Sequence, residues 1–133
     1  MITNDKKIIN NCICQSLNTP APALTILNDG VYIAFCVLKF KVGAESFTEK
    51  SPKIFQGNSY RILYPSKAFD VDFNVYCYTS LTDYKVICSS KSHTPFTKCL
   101  ILQGTIFNAG CKEYRCEVSN YYGCKCYCMI NNI

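Results

Sequence analysis

"VDFNVYCY", residues 71–78, alternates without a fault. Val71, Phe73, Val75 and Cys77 face one way, and Asp72, Asn74, Tyr76 and Tyr78 face the other. A period of two places successive side chains on opposite faces of an extended chain, so this stretch reads as a half-buried strand. Its neighbours read the same way. "VYIAFCVLKFKV" (31–42) is apolar on both faces, as a central strand is, and "GNSYRILYP" (57–65) is a strand closed by Pro65. "YKVIC" (84–88), "KCLILQGTIF" (98–107), "KEYRCEV" (112–118) and "YYGCKCYC" (121–128) follow. Turn signals fall at Asn28-Asp29-Gly30, Val42-Gly43, Gln56-Gly57 and Ala109-Gly110. About eight short strands at this spacing predict an all-β fold, an antiparallel β-sandwich of jelly-roll or immunoglobulin-like type. Residues 1–23 are polar, rich in asparagine and end in "NTPAPA", which predicts an extended N-terminal connector. Residues 24–133 are then the sandwich, ending in a cysteine-rich strand.

The 133 residues include 11 cysteines. A chain of this length buries a core without disulfides, so the thiols are expected to do more than rescue folding. The number is odd, so internal pairing leaves one over. Cys12 and Cys14 stand as C-x-C near the N-terminus, and Cys124, Cys126 and Cys128 as C-x-C-x-C near the C-terminus. In a strand, residues i and i+2 share a face with Cα atoms about 6.6–6.8 Å apart, the far limit for a disulfide. The cysteines of each row are therefore expected to seek partners on another strand or another chain. A tail laid beside the last strand of a neighbour brings the two rows into register. Cys12 and Cys14 are the reaching candidates, and Cys111, Cys116, Cys124, Cys126 and Cys128 the receiving ones. The alternative is pairing within one chain. Cys36, Cys77, Cys88 and Cys99 lie in apolar strands, where cysteine is a frequent small core residue.

Other chemistries find less support. Zinc favours C-x2-C pairs or histidine, and this chain has no C-x2-C and one histidine, His93; no metal or cofactor is expected. His93 stands in the polar turn "SSKSHTPF" with no partner pattern for a nucleophile, so no enzyme is expected. The net charge of +5 is spread over scattered lysines with only Arg61 and Arg115 beside them, unlike the basic patch of a nucleic-acid binder. Tyr121, Tyr122 and Tyr127 are the candidates for glycan stacking. Residues 1–25 lack the apolar core of a secretory signal.

From about residue 30 to 114 the chain resembles the membrane-binding β-sandwich that ends the cholesterol-dependent cytolysins. The resemblance rests on "DGVYIAFCVLKFKV", "YRILYPSKAFDVDFNVYCYT" and "LILQGTIFNAGCKE" in that order. It implies a sandwich with binding loops at one end. The stretch matching the family's tryptophan-rich loop is "YTSLTDYKVIC" (78–88), and the chain has no tryptophan. The family's sterol-reading Thr-Leu pair falls on Ile106 and Phe107. Cholesterol recognition and pore formation are therefore not implied. The plan of a cysteine-bearing connector ahead of an all-β domain also resembles the subunits of disulfide-linked endospore appendages, which are small jelly rolls.

Two functions are expected on this basis. The leading one is a non-enzymatic structural subunit whose partner is itself, joined into a fibre or coat outside the cell or on a spore surface by strand addition and intermolecular disulfides. The alternative is a sandwich module whose end loops bind a membrane or glycan, with Leu81, Tyr84, Ile106 and Phe107 as contact candidates.

Overall fold

The computed structural model describes residues 21–116 with their side chains and, beyond them, the strand segments 7–9, 12–16, 117–121 and 124–129. In chain order the strands are β1 (Lys7–Ile9), β2 (Cys12–Ser16), β3 (Ala23–Asn28), β4 (Ala34–Val42), β5 (Glu45–Lys50) and β6 (Ser59–Leu63). Then come β7 (Phe69–Tyr78), β8 (Tyr84–Ser92), β9 (Lys98–Gln103), β10 (Gly110–Tyr114), β11 (Cys116–Tyr121) and β12 (Cys124–Met129). They form three four-stranded sheets, ordered β5-β4-β7-β8, β10-β9-β3-β6 and β1-β2-β12-β11. Neighbours run antiparallel except β3 and β9, which are parallel.

The first two sheets make the sandwich, because their inner faces share one apolar cluster. Ala34, Cys36, Leu38 and Phe40 of β4 and Val71, Phe73, Val75 and Cys77 of β7 meet Leu24 and Ile26 of β3 and Leu100 and Leu102 of β9. The alternation of residues 71–78 is thus the core-facing period of a central strand, and the expected inward set is the buried set. The β10-β9-β3-β6 sheet is buried on its other face too, at Ala23, Thr25, Arg61, Cys99 and Ile101. Within that layer Arg61 Nη1 donates to Thr25 Oγ1 at 2.6 Å, giving a buried cation a polar partner.

Two strands lie outside the expectation. β3 is nearly continuously buried and so has no alternation to read. β5 is exposed along its whole length and is held as a hairpin arm on β4, where Phe47 stacks on Phe40 with ring centroids 5.4 Å apart. The stretch read as a connector also contains two strands, β1 and β2.

Candidate functional site

β3, β7 and β9 end at one end of the sandwich, and β4, β6, β8 and β10 begin there. Four connections therefore hang from that end: 29–33, 51–58, 79–83 and 104–109. Asn28, fully buried at the end of β3, organises two of them. Its side-chain amide donates to the carbonyls of Tyr32 at 2.7 Å and Ile54 at 2.9 Å, while its side-chain oxygen accepts from Gly30 N at 2.9 Å. A buried amide with its hydrogen bonds met fixes both backbones at once. Val31 N donates to Gly104 O at 2.8 Å, which ties loop 29–33 to loop 104–109. Tyr78 N donates to Ile33 O at 2.9 Å, which ties in the strand leading to loop 79–83. Tyr32 OH donates to Gln103 O at 2.8 Å. Burial, with the thiols of Cys77, Cys111 and Cys88 nearby, pushes that hydroxyl up to about 12, so it stays a neutral donor.

On this base each loop carries an apolar side chain outward. Ser80 Oγ accepts from Asp83 N at 3.0 Å, and Thr79 N donates to Asp83 O at 2.9 Å. That tight turn leaves Leu81 96% exposed. Thr105 Oγ1 accepts from Phe107 N at 3.2 Å, and Phe107 is 89% exposed. Gly104 enters the same loop at φ +88°, where a Cβ would press into the carbonyl of Asn108. The position thus admits glycine and little else. Val31 (63%) and Phe55 (50%) project from the other two loops. Charges are few there: Asp29, Lys53 and Asp83 are exposed.

Of the named contact candidates, Leu81 and Phe107 stand at loop tips and Tyr84 opens β8, half exposed. Ile106 differs: expected as an exposed tip, it is half-buried and packs on the core cluster. The loop needs one apolar anchor inward to hold the other outward. Val31 and Phe55 were not foreseen. Tyr84 belongs to an aromatic cluster on the outer face of the β4-β7-β8 sheet. Phe35 stacks on Tyr76 at 4.9 Å and meets Tyr84 edge-on at 5.1 Å, while Lys50 lies 4.9 Å over the Phe35 ring.

The cysteines divide into groups. Cys116, expected to receive a neighbour's thiol, is instead bonded to Cys99 of the same chain, with Cα atoms 5.6 Å apart. The reason is register: β10 runs back along β9 until Tyr114 lies opposite Cys99, and the chain then needs only two residues to bring Cys116 beside it. Cys36 and Cys77 are buried, and burial pushes the Cys36 thiol up to about 12. Cys111, another receiving candidate, is half-buried beside Cys88. The two rows come into register within one chain: β12 pairs with β2 so that Cys126 faces Cys14 and Cys128 faces Cys12, while Cys124 faces Ser16. The side chains of those five cysteines, and Tyr121, Tyr122 and Tyr127, lie outside the described residues. Among the described residues no three His, Cys, Asp or Glu side chains converge to hold a metal ion. His93 is an exposed residue whose ring Nδ1 lies 2.8 Å from Asp70 Oδ1.

No family model and no curated protein matches the sequence. Solved structures do match in fold. The membrane-binding domain of pneumolysin superposes with a TM-score of 0.56 at 8% identity, over 72% of this chain and 97% of that one. The cytotoxin suilysin from Streptococcus suis gives 0.56 at 17% identity over 74% of this chain, and listeriolysin O gives 0.53 at 13% over 74%. The chain spans only about a quarter of the length of those two proteins' chains, 24% and 22%. The described sandwich therefore has the fold of the domain that ends the cholesterol-dependent cytolysins, as the three sequence blocks suggested.

Proposed function

We propose that this chain is a membrane-binding sandwich module acting outside the cell or at a cell or spore surface, and that it docks by the loop end. One observation carries the reading: four loops braced against each other hold Leu81, Phe107, Val31 and Phe55 outward at the same end. The fold shared with the pneumolysin membrane-binding domain supports it. Burying a Leu or Phe side chain fully is worth about 1.5–3 kcal/mol, so four partly inserted tips give reversible docking of several kcal/mol. The loop charges Asp29, Lys53 and Asp83 nearly cancel, so the apolar term dominates any attraction to anionic lipid. The role is one of binding, without a catalytic step and without a sterol assignment.

Flotation with phosphatidylcholine vesicles tests the reading. The wild-type chain should rise with the lipid, and the double variant Leu81→Asp, Phe107→Asp should stay behind. A wild-type chain that never floats counts against it, whereas retention on a glycan surface would move the role to glycan binding.

Self-assembly is the second reading, favoured by the register of the cysteine rows. Exchange of β2 between copies would keep Cys14 opposite Cys126 and Cys12 opposite Cys128 while joining two chains. Non-reducing mass measurement distinguishes the two arrangements: covalent oligomers support exchange, and a purely monomeric species removes it.

A further inference from the structure

β8 and β10 are edge strands of different sheets, and they meet where the sandwich would otherwise be open along that side. Each turns a cysteine into the seam. Cys111 is the cross-strand partner of Leu102, which is fully buried, so Cys111 shares the inner face. Cys88 is the cross-strand partner of Val75, also fully buried. It reaches the inner face because the ladder shifts there: Val75 faces Cys88 while Tyr76 faces Val86, which leaves Ile87 as an extra residue. A bulge of this kind re-aims the side chains next to it, and both Ile87 and Cys88 pack on the core. The two thiols thus neighbour each other in the seam, and each shifts the other's pKa. Neither residue is in a disulfide, and both are half-buried and so remain reachable from the seam.

We propose that Cys88 and Cys111 form a thiol–disulfide exchange site, which takes a low-molecular-weight disulfide as its oxidant and closes into a bond between the two sheets. The Cys111 thiolate attacks one sulfur of the small disulfide, whose other sulfur leaves as a thiolate. Cys88 then loses its proton to solvent and attacks the Cys111 sulfur, and the second half of the oxidant leaves. In sum, two protein thiols lose two electrons and two protons, and one small disulfide becomes two small thiols. Cys111 is the entry point because its interaction with Cys88 lowers its pKa and raises that of Cys88. Cys36 also lies near Cys88, but burial keeps it a thiol. The inference does not depend on membrane docking.

The full chain is incubated with oxidised glutathione, quenched with acid, alkylated, and mapped after trypsin and chymotrypsin. The second protease separates Cys99 from Cys111 at Phe107. The expected product is a peptide pair joined through Cys88 and Cys111, lighter by two hydrogens. Cys88→Ser should instead trap a glutathione adduct on Cys111 that dithiothreitol removes. The proposal is overturned if wild type keeps both residues alkylatable, if it accumulates a Cys111 adduct with no cross-link, or if Cys88 links to Cys36. The wild-type map decides the matter even if the variant fails to fold.

Discussion

The Asn28 side chain and the Ile54 carbonyl, 26 residues apart in sequence, meet at 2.9 Å in the interior of the loop end. The same side-chain amide makes a second donation, to Tyr32 O at 2.7 Å. Asn28→Ala would strand the Tyr32 carbonyl and the Gly30 N–H, while Ile54 O would keep only the bond from Ala34 N. A buried group left without its partner costs about 1–3 kcal/mol, so the variant should lose roughly 3 kcal/mol in urea unfolding. Hydrogen exchange should speed up at Gly57, whose N–H donates to Asn28 O at 2.7 Å. An unchanged midpoint would remove Asn28 as the organiser of this end.

The absence of tryptophan makes the docking geometry measurable. Leu81→Trp and Phe107→Trp each introduce a single fluorophore at a tip. Both should shift to shorter wavelength when phosphatidylcholine vesicles are added. Phe47→Trp, on the hairpin arm toward the other end, should not. A shift at position 47 alone would invert the assigned orientation.

Gly104→Ala combines an unfavourable φ with a collision against the Asn108 carbonyl. Backbone strain of this type costs about 1–3 kcal/mol. The variant should unfold at lower urea concentration, and its loop should no longer present Phe107 in the same place, so vesicle affinity should fall as well. Gly43→Ala shares a positive φ but meets no atom, and should leave vesicle binding intact.

The Cys99–Cys116 bond closes a sequence separation of 17. Loops of this size stabilise by about 3 kcal/mol through the unfolded chain. The double variant Cys99→Ala, Cys116→Ala should be destabilised by about that amount under oxidising conditions. Equal stability with and without the pair would argue that the bond constrains nothing.

Alkali should weaken the fold in a defined window. Burial raises Cys36 from 9.0 to about 12, and Tyr32 from 10.0 to about 12. Both are neutral acids whose folded pKa exceeds the unfolded value. Their contribution is complete below pH 9 and is lost as pH climbs toward 12. Urea midpoints measured from pH 7 upward should fall through that window, and Tyr32→Phe should flatten the upper part of the decline. The same variant should cost about 1 kcal/mol at neutral pH through the lost bond to Gln103 O. A midpoint that rises with pH would contradict the burial of these groups.

How much of this was legible depended on where each strand sits. Residues 71–78 announce their faces because one side meets core and the other meets solvent. β3 is covered on both sides and β5 on neither, so neither shows a period. Leu81 stood out as an apolar residue inside a polar turn, whereas Val31 was absorbed into the apolar run that follows it and Phe55 sat in a stretch with no pattern. The partner of Cys116 depended on the register of β10 against β9, which no local signal carries. The inward aim of Cys88 depended on a bulge at Ile87, which the run "YKVIC" does not betray.

The position of β3 governs the order in which this molecule can be assembled during synthesis. β3 lies between β6 and β9, paired antiparallel to one and parallel to the other. When it leaves the ribosome neither neighbour exists, and Leu24 and Ile26 have nothing to pack on. β6 arrives first and offers only one edge. The last place is filled when Lys98–Gln103 has emerged, since Leu24 pairs with Lys98 and Asn28 with Leu102. Until then the nascent chain carries an open, apolar strand edge, the kind of surface that chaperones engage and that joins wrongly to other copies. A translational pause placed before residue 98 should therefore lower the yield of folded chain.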